Sequence, residues 1–171
     1  EPLERMRRAT GDKSSCGLAL PLSFVHDLLH STYSSLPSSL HSQAQSVMYA
    51  LKQGARLSKM LPMTGARKLL PFLKELLALL RALPVGGVLV VPAGWAVGGL
   101  ACTLLLVLRR EDKGQWAMAV CTASDGAAYH PAYLAPLRVT PSFDPCLLLR
   151  GIPDERLLDS SAWVVLFRGL Q

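Results

Sequence analysis

Acidic residues and aromatic residues are both scarce in this sequence of 171 residues. Between residues 14 and 108 only Asp27 and Glu75 are acidic, so most of the net charge of +6 belongs to this part of the chain. Its basic residues are Lys52, Arg56, Lys59, Arg67, Lys68, Lys74 and Arg81. Only 6% of the residues are aromatic, and they are not interleaved with the basic ones in a way that favours base stacking. We therefore expect no specific recognition of nucleic acid.

The basic residues lie in a segment, 52–81, that is otherwise apolar and helical in pattern. A basic helical surface is suited to an acidic partner protein or to anionic lipid. The other interpretation is that these are solubilising charges on the outer faces of apolar helices. The partner that we predict is a protein, and an acidic one fits the face 52–81 best.

Cysteine is the next scarce residue, with four widely spaced positions and no CxxC pair: Cys16, Cys102, Cys121 and Cys146. This spacing predicts neither a zinc site nor a disulfide framework. We expect reduced, mostly buried thiols, an intracellular and cytoplasmic location, and no metal or other cofactor. The chain starts at Glu1 without Met or a signal peptide, which indicates a piece of a longer or processed protein.

Charge is absent altogether from residues 85–108, a run long enough to span a bilayer. Gly and Pro interrupt it repeatedly, and they weaken a helix through backbone entropy and a missing donor. We therefore expect a strand at Val88–Val91, a loop at Pro92–Gly99 and a second strand at Leu100–Leu108. A membrane helix is the alternative, because membrane helices tolerate these residues better.

Turn residues after Leu108 and a further apolar stretch predict a β-hairpin over residues 100–122. Before residue 85 the apolar periodicity is helical. Helices first and strands later indicate an α+β fold, with an N-terminal helical half packed on a mainly antiparallel C-terminal sheet. We expect one domain over 14–171, with a helical part at 14–84, a sheet part at 85–171 and a linker at 1–13.

Three helices are expected in the first half: one from about Cys16 to Leu36, one over Leu40–Leu51, and one that starts at Pro71. In the first of them Val25 and Leu28 belong to the predicted apolar face. Gly54 is expected to interrupt the stretch after the second helix. The last segment of the chain, 157–169, fits a helix by its spacing and a strand by its composition.

Two histidines, His26 and His30, lie four residues apart with Asp27 beside the first. The spacing is similar to the HExxH pattern, in which two imidazoles on one helix face bind zinc. Here the acid is Asp and no third ligand is evident. We interpret the pair as exposed histidines near a helix end.

Cys16 and His130 form the candidate catalytic pair, with Asp125 placed to orient the histidine. A cysteine at a helix N-terminus gains thiolate character, and a nucleophilic cysteine needs a histidine brought in by the fold. A buried structural cysteine and a turn histidine explain the same residues.

The segments Pro92–Trp95, Gly98–Ala101 and Tyr129–Pro131, separated by the hairpin, resemble papain-like cysteine hydrolases of the deubiquitinase and effector type. The resemblance covers about residues 88–130. It implies a helical half that bears the cysteine, followed by a sheet. It also makes Trp95, Gly98 and Gly99 candidate binding residues that line a groove beside Cys16, although a Trp between glycines also commonly fills the edge of a core.

Two departures from the family pattern concern its catalytic residues. Leu100 follows Gly99 where the family has its catalytic histidine, and Thr122–Ser124 stands where an asparagine would orient that histidine. Neither Leu nor Ala accepts a proton. We therefore expect a non-catalytic, degenerate papain-like domain that acts as a structural or protein-interaction module of a larger protein or assembly. The alternatives are an active cysteine hydrolase for ubiquitin-like or peptide substrates, with His130 as base, and a membrane-associated protein.

Overall fold

The computed structural model describes residues 18–61, 69–97, 100–112, 114–122, 130, 132–133, 142–144 and 146–169, with side chains at all of these except 95–97, 100–102, 132–133, 142–143 and 168–169. The linker predicted at 1–13 lies outside the described residues. Three helices come first: α1 (Ala19–Thr32), α2 (His41–Met60) and α3 (Leu69–Ala82). The strands are β1 (Val88–Val97), β2 (Leu100–Asp112), β3 (Gln115–Thr122), β4 (Ala132–Tyr133), β5 (Ser142–Phe143) and β6 (Cys146–Pro153). Helices α4 (Asp154–Leu157) and α5 (Ser160–Gly169) follow.

The order of elements confirms the predicted α+β fold, with a helical N-terminal half and an antiparallel sheet in the C-terminal half. Four strands form the main sheet in the order β1-β2-β3-β6, and each neighbouring pair is antiparallel. Strands β4 and β5 form a separate two-stranded ribbon. Strands β1 and β6 are therefore the two edges of the main sheet.

The predicted hairpin is confirmed as β2 and β3, whose register runs from Leu104 opposite Thr122 to Asp112 opposite Gln115. Gly114 lies in the turn with a φ of 86°, in the left-handed region that glycine adopts without steric cost. The hairpin thus forms where turn residues interrupt two apolar stretches.

The uncharged run forms strands, as predicted, but the loop expected at Pro92–Gly99 is wrong for its described part. Strand β1 continues to Val97, and Pro92 pairs in register with Leu105 on β2. Because β1 is an edge strand, every second N–H on it has no neighbouring strand to bond, and proline is tolerated at such positions. Of the helices in the described ranges, none combines the length and the apolar composition that a membrane crossing needs.

The main core lies between one face of the sheet and helices α3 and α5. Phe72, Leu76 and Leu80 recur every four residues on α3 and are fully buried. The Phe72 ring meets Phe167 of α5 edge to face, with 5.1 Å between the ring centroids. Leu108 of β2 belongs to the same buried cluster, so the core connects α3, α5 and the sheet.

A second cluster joins α1 and α2 to Val90 of β1. Helix α2 does not stop near Gly54, as the sequence predicts, but runs on to Met60. A Cβ added to Gly54 would lie 3.0 Å from the carbonyl oxygen of Val90. The glycine therefore allows α2 to approach the strand closely, and the packing outweighs its low helix propensity.

Helix α1 is only shallowly packed, and Leu22 is its one buried residue. The sequence predicts Val25 and Leu28 on the core-facing side, and the structure corrects this: both are exposed. The apolar residues of α1 therefore surround the helix instead of lying on one buried face.

The final segment, for which helix and strand both fit the sequence, is helical. Trp163 and Phe167 are one turn apart on α5 and both are buried. The indole N–H of Trp163 donates to the carbonyl oxygen of Leu157 at 2.7 Å, which joins α5 to α4. Burial of these two aromatic rings explains why the β-rich composition forms a helix here.

Candidate functional site

The predicted catalytic residues are only partly within the described chain. Cys16 and Asp125 lie outside the described residues, so the structure does not test whether they meet His130. His130 is buried, with 6% of its surface exposed, and its Nδ1 lies 2.9 Å from the carbonyl oxygen of Asp144. A carbonyl oxygen only accepts, so Nδ1 carries the hydrogen and, in the neutral ring, Nε2 is the acceptor nitrogen.

Of the three predicted binding residues, the structure describes only the backbone of Trp95. The backbone of Trp95 belongs to β1, opposite Cys102 of β2. Gly98 and Gly99 lie outside the described residues. Trp95 is therefore in a strand and not in the loop that the sequence predicts, while the groove expected beside Cys16 stays a prediction.

The two histidines of α1 lie on the same side of the helix, as their spacing predicts. Their ring centroids are 6.2 Å apart, and Nδ1 of His26 is 2.9 Å from a carboxylate oxygen of Asp27. His30 is exposed and His26 is half-buried. Within the described ranges, no group of three or more His, Cys, Asp or Glu side chains could hold a metal ion.

A concave surface lies between α1 and α2 in the described structure, and we name it the α1–α2 groove. Its volume is about 450 Å³. Both helices run past the groove and line it with one face each. Its residues are Ser23, His26 and Asp27 from α1 and Lys52, Gln53, Ala55, Arg56 and Lys59 from α2.

The α1–α2 groove is positively charged along α2. Lys52, Arg56 and Lys59 are spaced by four and three residues, which places them on one helix face. Arg56 is paired at 3.0 Å with Glu75 of α3, and 59% of its side chain is exposed. Among the ion pairs of the described residues, none involves Lys52 or Lys59. Two ammonium groups in the groove are thus available to an anionic ligand.

One uncharged polar atom also lacks a partner in the α1–α2 groove. Among the described residues, the Oε1 atom of Gln53 is buried and makes no hydrogen bond. A buried polar group without a partner costs free energy unless a ligand or water satisfies it. Because this oxygen has almost no accessible surface, a bound chain reaches it only when the Gln53 side chain turns into the groove.

An exposed apolar stripe borders the α1–α2 groove on α1. Leu20, Phe24 and Leu28 recur every four residues, and each has about half of its surface exposed, with 50%, 52% and 54% respectively. Phe24 and Leu28 directly follow the groove residues Ser23 and Asp27. The surface therefore combines the basic α1–α2 groove with the apolar stripe, which is typical of a site that binds an amphipathic peptide.

The predicted basic face over 52–81 is thus divided by the fold. Lys52, Arg56 and Lys59 line the α1–α2 groove, whereas Lys74 and Arg81 are exposed on α3. Arg67 and Lys68 lie outside the described residues. The sequence misses the contribution of α1, because nothing in the pattern around His26 and Asp27 shows that they face Lys52.

The arrangement can hold an anionic chain by charge and by contact with the apolar stripe. Of the predicted catalytic residues, only His130 is described, and it is buried and is not among the residues that line the groove. Comparisons of the chain with protein-family models, with curated proteins and with solved structures find no match.

Proposed function

We propose that this chain is a non-catalytic protein-interaction module, resembling a degenerate papain-like domain, that binds an acidic segment of a partner protein in the α1–α2 groove. The observation that carries the proposal is the pair Lys52 and Lys59, which line the groove without a carboxylate partner among the described residues. Three basic residues, Lys52, Arg56 and Lys59, outnumber the one acidic residue of the lining, Asp27, and a net positive concave surface attracts and orients an anionic ligand.

Two further features support a protein segment over a small anion. The apolar stripe of Leu20, Phe24 and Leu28 offers contact area that a small anion would not use. The Gln53 side chain, once turned into the groove, offers Oε1 as an acceptor for a main-chain N–H. An acidic amphipathic helix or strand fits all three features at once.

The proposal is tested with the whole chain and a fluorescent peptide of repeating Glu and Leu residues, followed by fluorescence anisotropy. We expect saturable binding that weakens as salt is raised from low to physiological ionic strength, because partly exposed charges are screened. A peptide with Gln in place of every Glu is the matched ligand, and we expect it to bind about tenfold more weakly.

A pair of charge-reversal variants separates the α1–α2 groove from net charge. We expect Lys52→Glu with Lys59→Glu to weaken the acidic peptide by about tenfold or more. The control, Arg81→Glu with Arg156→Glu, makes the same change in net charge outside the groove. Equal weakening by both variants, or no binding of the acidic peptide at low salt, would contradict the proposal.

A cysteine hydrolase is the competing function, with Cys16 as nucleophile, His130 as base and Asp125 as the orienting acid. Its supporting observation is the hydrogen bond of His130 to Asp144, which leaves Nε2 in the state that a general base needs. The burial of the ring and the leucine at position 100 favour the interaction module.

A further inference from the structure

Cys121 and Cys146 face each other across the outer pair of strands in the main sheet. The register of β3 and β6 places them directly opposite each other. Opposite residues of an antiparallel pair project from the same face, with Cα atoms about 4.5 Å or about 5.5 Å apart according to the hydrogen-bond pattern. Both separations lie within the range of about 4.4–6.8 Å that a disulfide spans. The Cα separation of the two strands therefore permits a bond between these two sulfurs.

Both thiols are free and partly exposed, whereas the sequence predicts mostly buried cysteines; Cys16 and the side chain of Cys102 lie outside the described part of the chain. Burial raises the pKa of the Cys121 thiol, and the neighbouring Cys146 raises it further by its charge and by a thiol hydrogen bond. The register places both side chains on the same face of the sheet. Cys146 lies on the edge strand β6, which leaves one side of the pair open to reagents.

We propose that Cys121 and Cys146 form a redox modification site that closes reversibly into a cross-strand disulfide. The oxidant is a small-molecule disulfide of the glutathione class. One thiolate attacks it, forms a mixed disulfide and releases one thiol. The second protein thiolate attacks the mixed disulfide and releases the second thiol. Two protein thiols are oxidised, one external disulfide is reduced to two thiols, and the protons lost by the protein are carried by those two products.

The disulfide would join the two ends of residues 122–145. This connection includes His130 and the ribbon of β4 and β5. His130 already makes a hydrogen bond to the carbonyl oxygen of Asp144, which is two residues before Cys146. The cross-link would therefore lie close to a contact that already holds residue 130 near the end of this connection. A cross-link reduces the freedom of the unfolded chain, so the oxidised form is expected to be the more stable one.

The test uses the wild-type chain, equilibrated with glutathione buffers of increasing oxidised fraction, quenched by alkylation and analysed by mass spectrometry. The chain has four cysteines, and we expect the oxidised form to accept the alkylating reagent at two of them and to be lighter by two hydrogen atoms before alkylation. Proteolysis without reduction should yield the Cys121 and Cys146 peptides joined. We expect the thermal midpoint to rise by roughly 5–10 °C on oxidation.

Two variants locate the cross-link. Cys146→Ser should abolish the loss of two hydrogen atoms, whereas the control Cys16→Ser should retain it. The wild-type peptide map gives the answer even if a variant fails to fold. Alkylation of both Cys121 and Cys146 after full equilibration, a cross-link to a different cysteine, or separate glutathione adducts on the two thiols would each overturn the proposal.

Discussion

The indole N–H of Trp116 donates a hydrogen bond to the carboxylate of Asp154, across from β3 to the first residue of α4. Trp116 is fully buried, so this acceptor is what satisfies its one polar atom. Arg110 lies over the Trp116 ring, 5.4 Å from its centroid, and 3.7 Å from a second carboxylate oxygen of Asp154. The three side chains thus join the end of the hairpin to the C-terminal helices.

Asp154→Ala is expected to destabilise the fold. It removes the acceptor of a buried indole N–H, and a buried donor without a partner costs about 1–3 kcal/mol. We expect that loss in the free energy of unfolding, measured by urea denaturation. The control is Glu155→Ala on the exposed side of the same helix, for which we expect a change within about 0.5 kcal/mol. Equal effects of the two variants would contradict the role of Asp154.

Gly54→Ala is expected to destabilise the fold although alanine is the better helix former. Helix propensity favours alanine by about 1 kcal/mol, but the new Cβ would lie 3.0 Å from the backbone oxygen of Val90 and 3.1 Å from its side chain. Forcing a packed strand outward costs about 1–3 kcal/mol, so the net change should be a loss. Urea denaturation measures it, with the exposed position Gln43→Ala on α2 as the control. A more stable Gly54→Ala variant would show that β1 moves away from the added methyl group at little cost in free energy.

Wild-type protein is expected to remain unlabelled by a thiol-reactive ubiquitin-type probe. Under the proposed papain-like resemblance, Leu100 stands where the family has its catalytic histidine, and leucine cannot accept the proton of Cys16. Labelling is followed by a mass shift on a denaturing gel, with an active papain-like enzyme as the positive control. If wild type were labelled and Cys16→Ala were not, the hydrolase hypothesis would replace the interaction module.

The raised pKa of Cys121 predicts slow alkylation at neutral pH. The thiolate is the reactive form, so the rate should rise with pH and level off above a midpoint higher than that of an ordinary thiol. Cys146→Ala should lower the midpoint but leave it raised, because burial is the largest cause. Mass spectrometry of the alkylated peptide measures the rate. An unchanged midpoint in Cys146→Ala would show that the two thiols do not interact.

The raised pKa of Cys121 also makes the free energy of unfolding depend on pH. The folded chain holds the Cys121 proton more tightly than the unfolded chain does, because its pKa is raised on folding. This contribution to the free energy of unfolding is therefore fully present at pH values below the pKa of the thiol in the unfolded chain. It is lost as the pH rises through the pKa of the folded chain.

Local chemistry made part of this fold predictable. The β2–β3 hairpin follows from turn residues between two apolar stretches, and Gly114 has the positive φ that the turn requires. Helix α3 follows from an apolar repeat of nearly four residues, with Pro71 in its first turn. In both cases the information lies within a few consecutive residues.

Pro92 and Gly54 were misjudged because their roles depend on distant residues. A proline is tolerated in β1 only because that strand is an edge, and a glycine persists in α2 because the helix presses on Val90. The exposure of Val25 and Leu28 has the same origin, since periodicity shows that a face is apolar but not that another element covers it.

What the sequence determined by itself was the α+β order, the strand character of the uncharged run and the basic character of residues 52–81. These follow from backbone preferences and charge, which act over short distances along the chain. Only the tertiary structure decided that α1 and α2 enclose a groove around Lys52 and Lys59, and that Cys121 lies opposite Cys146. Helix pairing and strand register join residues far apart in sequence, because they are set by which surfaces exclude water together.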